Sequence, residues 1–171
     1  MIIKGKNFTL KPYRKSDEKE LVKNLNDKKV SKFMCTVPFP YKIKDAKKFI
    51  RESKKHLKKK SKTTINFAIE IDGKIVGGIG FRDVQDNRAE IGYWLGRKYW
   101  DKGIMTNVVK SFTEFGFKKL EFIRIQAHVF VQNKNSARVL EKNGYKLEGR
   151  LRKFQMKDSK AADCLLYAKI K

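Results

Sequence analysis

Cysteine, histidine and proline are scarce in this chain. Among 171 residues there are two cysteines, Cys35 and Cys164, and two histidines, His56 and His128. Neither cysteine stands in a CxxC pair or beside a histidine, which removes any zinc-site spacing and any dense disulfide framework. Two reduced, buried thiols are expected, and no metal ligand set is visible. Of the three prolines, two sit in VPFPY around residue 39, with no linker or internal repeat nearby, so one domain over residues 1–171 is expected. No window approaches the ~20 apolar residues of a bilayer span, and the start, MIIKGKNFTLKPY, has no apolar run of signal-peptide length. These absences predict a cytoplasmic protein with no membrane contact.

Negative charge is the other shortage. Asp and Glu number 18 against 42 Lys and Arg, a net charge of +24. Such an excess suits polyanionic company: nucleic acid, a ribosome, an acidic protein or a phosphorylated cofactor. Most of it is lysine, a solvated point charge rather than the arginine fork, so a lysine-rich host proteome explains it equally well. What the chain has in quantity is core. Hydrophobic residues make up 40% with 12 Phe, so the 35% charged fraction reads as surface. A domain of this length buries roughly 68–70% of the surface its unfolded form exposes.

Along the chain, NFTLKPY alternates as a strand, and SDEKELVKNLND follows as a helix capped by Ser16 or Asp17, with Leu21, Val22 and Leu25 on one face. Ile43, Ala46, Phe49, Ile50 and Leu57 then recur at helical spacing through a strongly basic stretch. TTINFAIEIDGKIVGGIGF reads as a hairpin turning at Asp72 and Gly73. AEIGYWL is a third strand, with Ala89, Ile91, Tyr93 and Leu95 on one face and Glu90, Gly92 and Trp94 on the other. A helix from about Gly103 carries Ile104, Val108, Phe112 and Phe115 inward. FIRIQAHVFV gives a strand with Ile123, Ile125, Ala127 and Val129 facing one way. A short helix in NKNSARVLEKNGYKLEG is capped by Asn133 or Asn135 and ended by Gly144, and two weaker strands close the chain. The order β α α β β β α β α β β predicts an α/β sandwich of mixed strand direction.

The turn between the third strand and the central helix is chemically suggestive. A strand that feeds through a short glycine-bearing turn into a helix presents unpaired N–H groups at the positive end of the helix dipole, a ready anion site or an ordinary connection. Here Lys102 adds charge, Gly103 lets an anion approach the backbone and Thr106 adds a hydroxyl. The commoner phosphate motifs are missing: there is no GxxxxGK[ST], and GGIG at residues 77–80 lies inside a strand, where glycine permits a bulge or a close backbone approach.

Two motifs together carry a specific resemblance. AEIGYWLGRKYWDKGIMT and, further on, NKNSARVLEKNGYKLEG resemble the GNAT superfamily of acetyl-CoA-dependent N-acetyltransferases, and within it the ribosomal-protein alanine and serine N-terminal acetyltransferases (the RimJ/RimL-like branch). The likeness spans nearly the whole chain. It implies a mixed, mostly antiparallel central sheet of about six to seven strands flanked by helices, with acetyl-CoA as cofactor. By match, Trp100, Asp101, Lys102, Gly103, Ile104, Met105 and Thr106 cradle the coenzyme pyrophosphate with backbone amides. Tyr93, Trp94 and Leu95 pair with the pantetheine arm, and Asn133 and Ser136 form the NxxS that contacts it near the sulfur. Arg138 is a candidate for a coenzyme phosphate or a solvated helix residue, and Phe33 and Met34 correspond to the acceptor pocket. Two residues depart from the branch: Asp101 stands where it usually has Gly and Asn107 where it often has Glu. The Asp101 side chain must therefore point outward, or anion affinity suffers.

Amide formation from a thioester needs a neutral amine, a polarised carbonyl and a stabilised leaving thiolate. Deprotonation at pH 7 costs about 1.2 kcal/mol for an α-amine and about 4.6 kcal/mol for a lysine, so an α-amine needs the weaker base. Glu90 is the candidate base, through one water, or else a solvent-facing strand carboxylate paired with Arg82 or Arg88. Ser136 is the candidate hydrogen-bond donor to the departing sulfur, or else a first-turn helix residue. The general-acid tyrosine of the related polyamine acetyltransferases has Leu140 in its place here.

The favoured reading is transfer of acetyl from acetyl-CoA to a primary amine, foremost a protein N-terminal α-amine. The alternatives are a small amine (aminoglycoside, polyamine or metabolite) or a non-catalytic RNA- or ribosome-binding module. A possible ribosome or RNA contact rests on the basic surface, including the lysine run at residues 54–62, which reads first as a solvated helix face. Monomer and homodimer are both compatible with the sequence.

Overall fold

Hydrophobic alternation at period two dominates the chain, and the computed structural model, which describes residues 1–58 and 63–171, assembles it into one eight-stranded sheet. The strands are β1 (Ile3–Lys4), β2 (Thr9–Lys11), β3 (Ile65–Ile71), β4 (Lys74–Gln85), β5 (Arg88–Leu95), β6 (Arg124–Phe130), β7 (Lys146–Lys157) and β8 (Lys160–Ile170). The helices are α1 (Glu18–Leu25), α2 (Lys28–Ser31), α3 (Ile43–Lys58), α4 (Ile104–Lys119) and α5 (Lys134–Lys142). The spatial order is β1-β2-β3-β4-β5-β6-β8-β7. Every neighbouring pair is antiparallel except β5 with β6, so the mixed direction expected from the sequence is present. The sheet has one strand more than the six to seven expected, because Ile3–Lys4 adds a two-residue β1 too short to show a period.

Each face of the sheet is covered. On one, Phe67, Ile69, Phe81, Ile91 and Ile125 meet Val108, Val109 and Phe112 of α4 and Leu140 of α5. Phe112 anchors this layer, stacked on Phe81 at a centroid distance of 4.3 Å, and Phe122 meets Phe81 edge-on at 5.2 Å. On the other face, Tyr13, Ala68 and Ile75 pack against Leu21 and Leu25 of α1 and Ala46 and Ile50 of α3. The 72–73 hairpin forms as its sequence predicts, with Asp72 and Gly73 both at positive φ (48° and 73°). Among the strand glycines, Gly78 serves a close approach: a Cβ there would stand 2.2 Å from the Tyr13 hydroxyl oxygen.

Several expectations need correction. Ile123 lies outside β6 and is half exposed, its backbone N–H donating to the Asn87 carbonyl in the β4–β5 turn. Ile43 opens α3 but is exposed, in a shallow cleft beside Lys15, Glu18 and Lys19. Cys164 is buried and free as expected, whereas Cys35 is only half-buried in the loop after α2. Asp17 stands at the start of α1 but its side chain does not cap that helix; it closes the preceding 3₁₀ turn, Lys15–Asp17, its Oδ2 accepting the Arg14 backbone N–H at 2.7 Å. The lysine run reaches Lys58 on α3; its remainder, residues 59–62, lies outside the described residues.

Candidate functional site

The single parallel pair creates an opening. β5 and β6 share a register only over Arg88–Glu90 and Arg124–Gln126, after which Ile91–Leu95 has no strand partner on that side among the described residues. β6 continues instead with β8, from Arg124 through Phe130. A wedge therefore opens just beyond Glu90, and the chain leaves it through a 3₁₀ turn, Arg97–Tyr99, into the start of α4.

That start is shaped for an anion. Gly103 caps α4 in the left-handed conformation, φ 70°, and a Cβ built there meets nothing within 4 Å. No side chain caps the helix, and the first backbone bond into it runs from the Asn107 N–H to the Gly103 carbonyl at 3.2 Å. Among the described residues the N–H groups of Ile104, Met105 and Thr106 have no acceptor, and they point outward at the positive helix end. Trp100 fixes the turn by donating its indole N–H to the Leu95 carbonyl at 2.7 Å.

Wedge and turn open into one cavity of about 410 Å³. Most residues singled out in the sequence line it. Tyr93, Trp94 and Leu95 form one wall and Trp100, Asp101, Gly103, Ile104, Met105 and Thr106 the next. Asn133, Ser136 and Arg138 come from α5 and its cap, and Phe33 and Met34 from the chain after α2. Lys102 is exposed beside the turn and is not part of the lining; the cations that are part of it are Lys29, Arg138 and Lys142. Asp101 is exposed at the rim with φ 59°, a conformation costly for any residue but glycine. Lys29, Val30, Tyr99, Asn135, Val139 and Lys142 also line the cavity without having been singled out. Helical spacing signals Val139 and Lys142, about one and two turns beyond Asn135. Lys29 and Val30 belong to a four-residue helix with no periodicity to read.

Across the wedge, the Tyr93 hydroxyl lies 2.9 Å from Ser136 Oγ and 3.2 Å from the Ser136 carbonyl, tying β5 to the first turn of α5. Burial pushes the Tyr93 phenol well above its ordinary pKa, so it remains a neutral donor. Asn133 is engaged as the α5 cap, its Oδ1 accepting the Ser136 N–H at 3.3 Å. Asn143, buried at the far end of α5, donates to the Thr106 carbonyl at 3.1 Å and so couples α5 to the first turn of α4.

Glu90 occupies the vertex of the wedge. It is buried, not solvent-facing, and does not line the cavity. Oε1 pairs with Arg82 across β4, and Oε2 lies 3.1 Å from His128 Nδ1 on β6. Burial pushes the carboxyl up, but the bonds from His128 and Arg82 outweigh it and hold Glu90 below the usual carboxylate range. The Arg82 partner follows from strand pairing; His128, isolated in sequence, reaches Glu90 only through the parallel register.

Comparison with known proteins gives these features a context. The family model described as the acetyltransferase (GNAT) domain matches residues 7–146. The chain is 27% identical over 166 residues to the uncharacterized N-acetyltransferase p20 of Bacillus licheniformis, covering 96% of this chain and 93% of that protein. It is 29% identical over 106 residues to the ribosomal-protein-serine acetyltransferase of Escherichia coli, covering 61% of this chain and 59% of that one. Among solved structures, the microcin C7 self-immunity acetyltransferase MccE, in complex with acetyl-CoA and AMP, superposes with a TM-score of 0.87 at 27% identity, covering 98% of this chain and 94% of that one.

Proposed function

The chain belongs to the GNAT family and is an acetyl-CoA-dependent N-acetyltransferase, and from that premise we propose that its acceptor is the α-amine at a protein N-terminus. The residues present fit the coenzyme. The unpaired amides of Ile104, Met105 and Thr106, with open space over Gly103, suit a diphosphate, and Arg138 and Lys142 stand where further phosphate would lie. Bound acetyl-CoA supplies an activated acyl group. The free backbone edge of Ile91–Leu95 orients that group, and the Tyr93–Ser136 hydroxyl pair donates to the departing sulfur. Glu90 serves the acceptor side as the carboxylate toward which the amine proton is drawn.

The observation that carries the choice of acceptor is the charge of the cavity wall. Among the described residues, Asp101, on the coenzyme side, is its one acidic residue, against Lys29, Arg138 and Lys142. Nothing in that lining would gather an aminoglycoside or a polyamine, whose several ammonium groups need carboxylates close by. A single α-amine, deprotonated for about 1.2 kcal/mol at pH 7, makes no such demand. Phe33 and Met34 give the acceptor entrance an apolar rim suited to a short N-terminal side chain. The ribosomal-protein-serine acetyltransferase of Escherichia coli is a relative whose name states an acceptor of this kind.

The test is coenzyme A release with peptides that begin with Ala or Ser, run beside aminoglycosides, polyamines and free amino acids. Turnover of the peptides well above every small amine is expected. A preference for any small amine, or no turnover on N-termini, retires this acceptor.

A further inference from the structure

Glu90 is badly placed to keep the proton it attracts. Arg82 occupies one carboxylate oxygen, His128 the other, and the group is buried at the vertex of the wedge. His128 has what Glu90 lacks. Its Nδ1 faces the carboxylate at 3.1 Å, which favours the tautomer protonated on Nδ1 and leaves the Nε2 lone pair free. Nε2 has no hydrogen-bond partner among the described residues, and it is not a sealed, unpartnered atom of the kind His56 Nδ1 is.

The ring lies at the junction of the proposed acceptor entrance. His128 is two residues beyond Gln126, the last residue of β6 in register with β5, and so shares the face of Glu90 where the strands part. Phe154 of β7 stacks on the imidazole at 4.5 Å and 29°. On the same strand Lys157 donates to the Met34 carbonyl at 3.1 Å, and the Phe33 ring packs 6.1 Å from Phe130. Phe33 and Met34 in turn line the cavity, while His128 and Glu90 lie behind them and are not part of its lining. The charged and titratable groups gathered here are Arg82 of β4, Lys157 of β7, Asp163 and Cys164 of β8, and Cys35 after α2. Burial pushes both thiols up, which keeps them neutral.

We infer that His128 takes the proton of the attacking amine through Nε2, and that Glu90 is the positioning residue that holds the ring in its Nδ1-protonated form. This rests on the acetyl-transfer reading and deepens it. The amine nitrogen uses its lone pair to form the C–N bond at the thioester carbonyl, and its N–H proton passes to Nε2. The C–S bond breaks with its electron pair on sulfur; the thiolate accepts hydrogen bonds from the Tyr93–Ser136 hydroxyls, which keep their protons, and is protonated from solvent, to which the imidazolium returns the proton it took. An imidazole, with an ordinary pKa of about 6.5, is a better acceptor near neutrality than a carboxylate at about 4.3.

Two measurements test this. The protein has only two histidines, so nitrogen-15 NMR of the free enzyme can assign the neutral ring of His128. The Nδ1–H tautomer is expected; an Nε2–H ring overturns the inference whatever the acceptor proves to be. In kinetics, log kcat/KM of the wild type should fall on the acid side with a slope approaching two, because amine and imidazole must both be unprotonated. His128→Gln should reduce the slope to one and lower kcat by about 10²-fold or more, with acetyl-CoA affinity by calorimetry unchanged. Glu90→Gln should keep the steeper slope while losing about tenfold in kcat. A His128→Gln enzyme within about threefold of wild-type kcat, or one that keeps the slope of two, overturns the role of His128. Should the wild type prefer a small amine, the acceptor reading fails and the same slopes, measured on that amine, still decide this one.

Discussion

Asp101 works against its own site twice. Its φ of 59° is a left-handed conformation that costs a non-glycine residue about 1 kcal/mol, and its carboxylate stands on the rim of a cavity whose neighbouring amides face an anion. Asp101→Gly should remove both penalties. Calorimetry should show acetyl-CoA binding tightened by about three- to tenfold, and denaturation should show a stability gain of about 0.5–1 kcal/mol. Unchanged affinity would mean that the carboxylate lies too far from the bound diphosphate to matter. This departure was legible in the sequence, as was the whole turn, because a cap glycine and its neighbours are contiguous. His128 was not: 128 and 90 are far apart in the chain, and only the short parallel register makes them neighbours. Arg82 was one of two partners the sequence offered, but simple counting back from the turn does not select it, because the register shifts between Arg82 and Gln85.

Helices α4 and α5 bring the two motifs together, and Asn143 is the joint between them. Its Nδ2 donates to the Thr106 and Val139 carbonyls at 3.1 and 2.8 Å, while its own carbonyl accepts from Lys169 at 2.7 Å. Asn143→Ala removes the bonds its side chain donates to the Thr106 and Val139 carbonyls, which costs about 0.5–1.5 kcal/mol for each. A lowered Tm is expected together with acetyl-CoA binding weakened about threefold or more. A lowered Tm with unaltered binding would show that the joint stabilises the fold without shaping the cradle. Long periodic elements were readable beforehand, from the 72–73 hairpin to α4 and the capped α5. The two-residue β1 and four-residue α2 were not, because neither completes a period. Ile123 misled for a related reason: an apolar residue at the end of an alternating run looks like strand, and only the tertiary bond from its N–H to the Asn87 carbonyl shows that it is not.

At the level of the molecule, hydrophobic alternation accounts for the two covered faces of the sheet, and the charge lies outside them. On α3 the side chains of Lys44, Lys47, Lys48, Arg51, Lys54 and Lys55 are exposed, and none forms an ion pair among the described residues. With a net charge of +24, encounters with acidic acceptors should be accelerated and strongly screened by salt. Between roughly 0.05 and 0.5 M KCl, kcat/KM for an N-terminal peptide with acidic residues after the first few positions should fall by about tenfold, while that for an uncharged peptide should change by less than about twofold. Equal salt dependence for both peptides would mean that the surface charge steers nothing.

No helix among the described residues is long and apolar enough to cross a membrane. The eight strands are continuous in order, and among the described residues the backbone pairing across the middle is confined to 88–90 against 124–126. The two leaves, β1 to β5 with the α4 turn and β6, β8 and β7 with α5, are clasped besides by the shared core under α4 and by the Tyr93–Ser136 and Asn143–Thr106 bonds. A ligand that touches both leaves at once acts as a bolt through them, so seating the coenzyme and setting the angle of the acceptor groove become a single event.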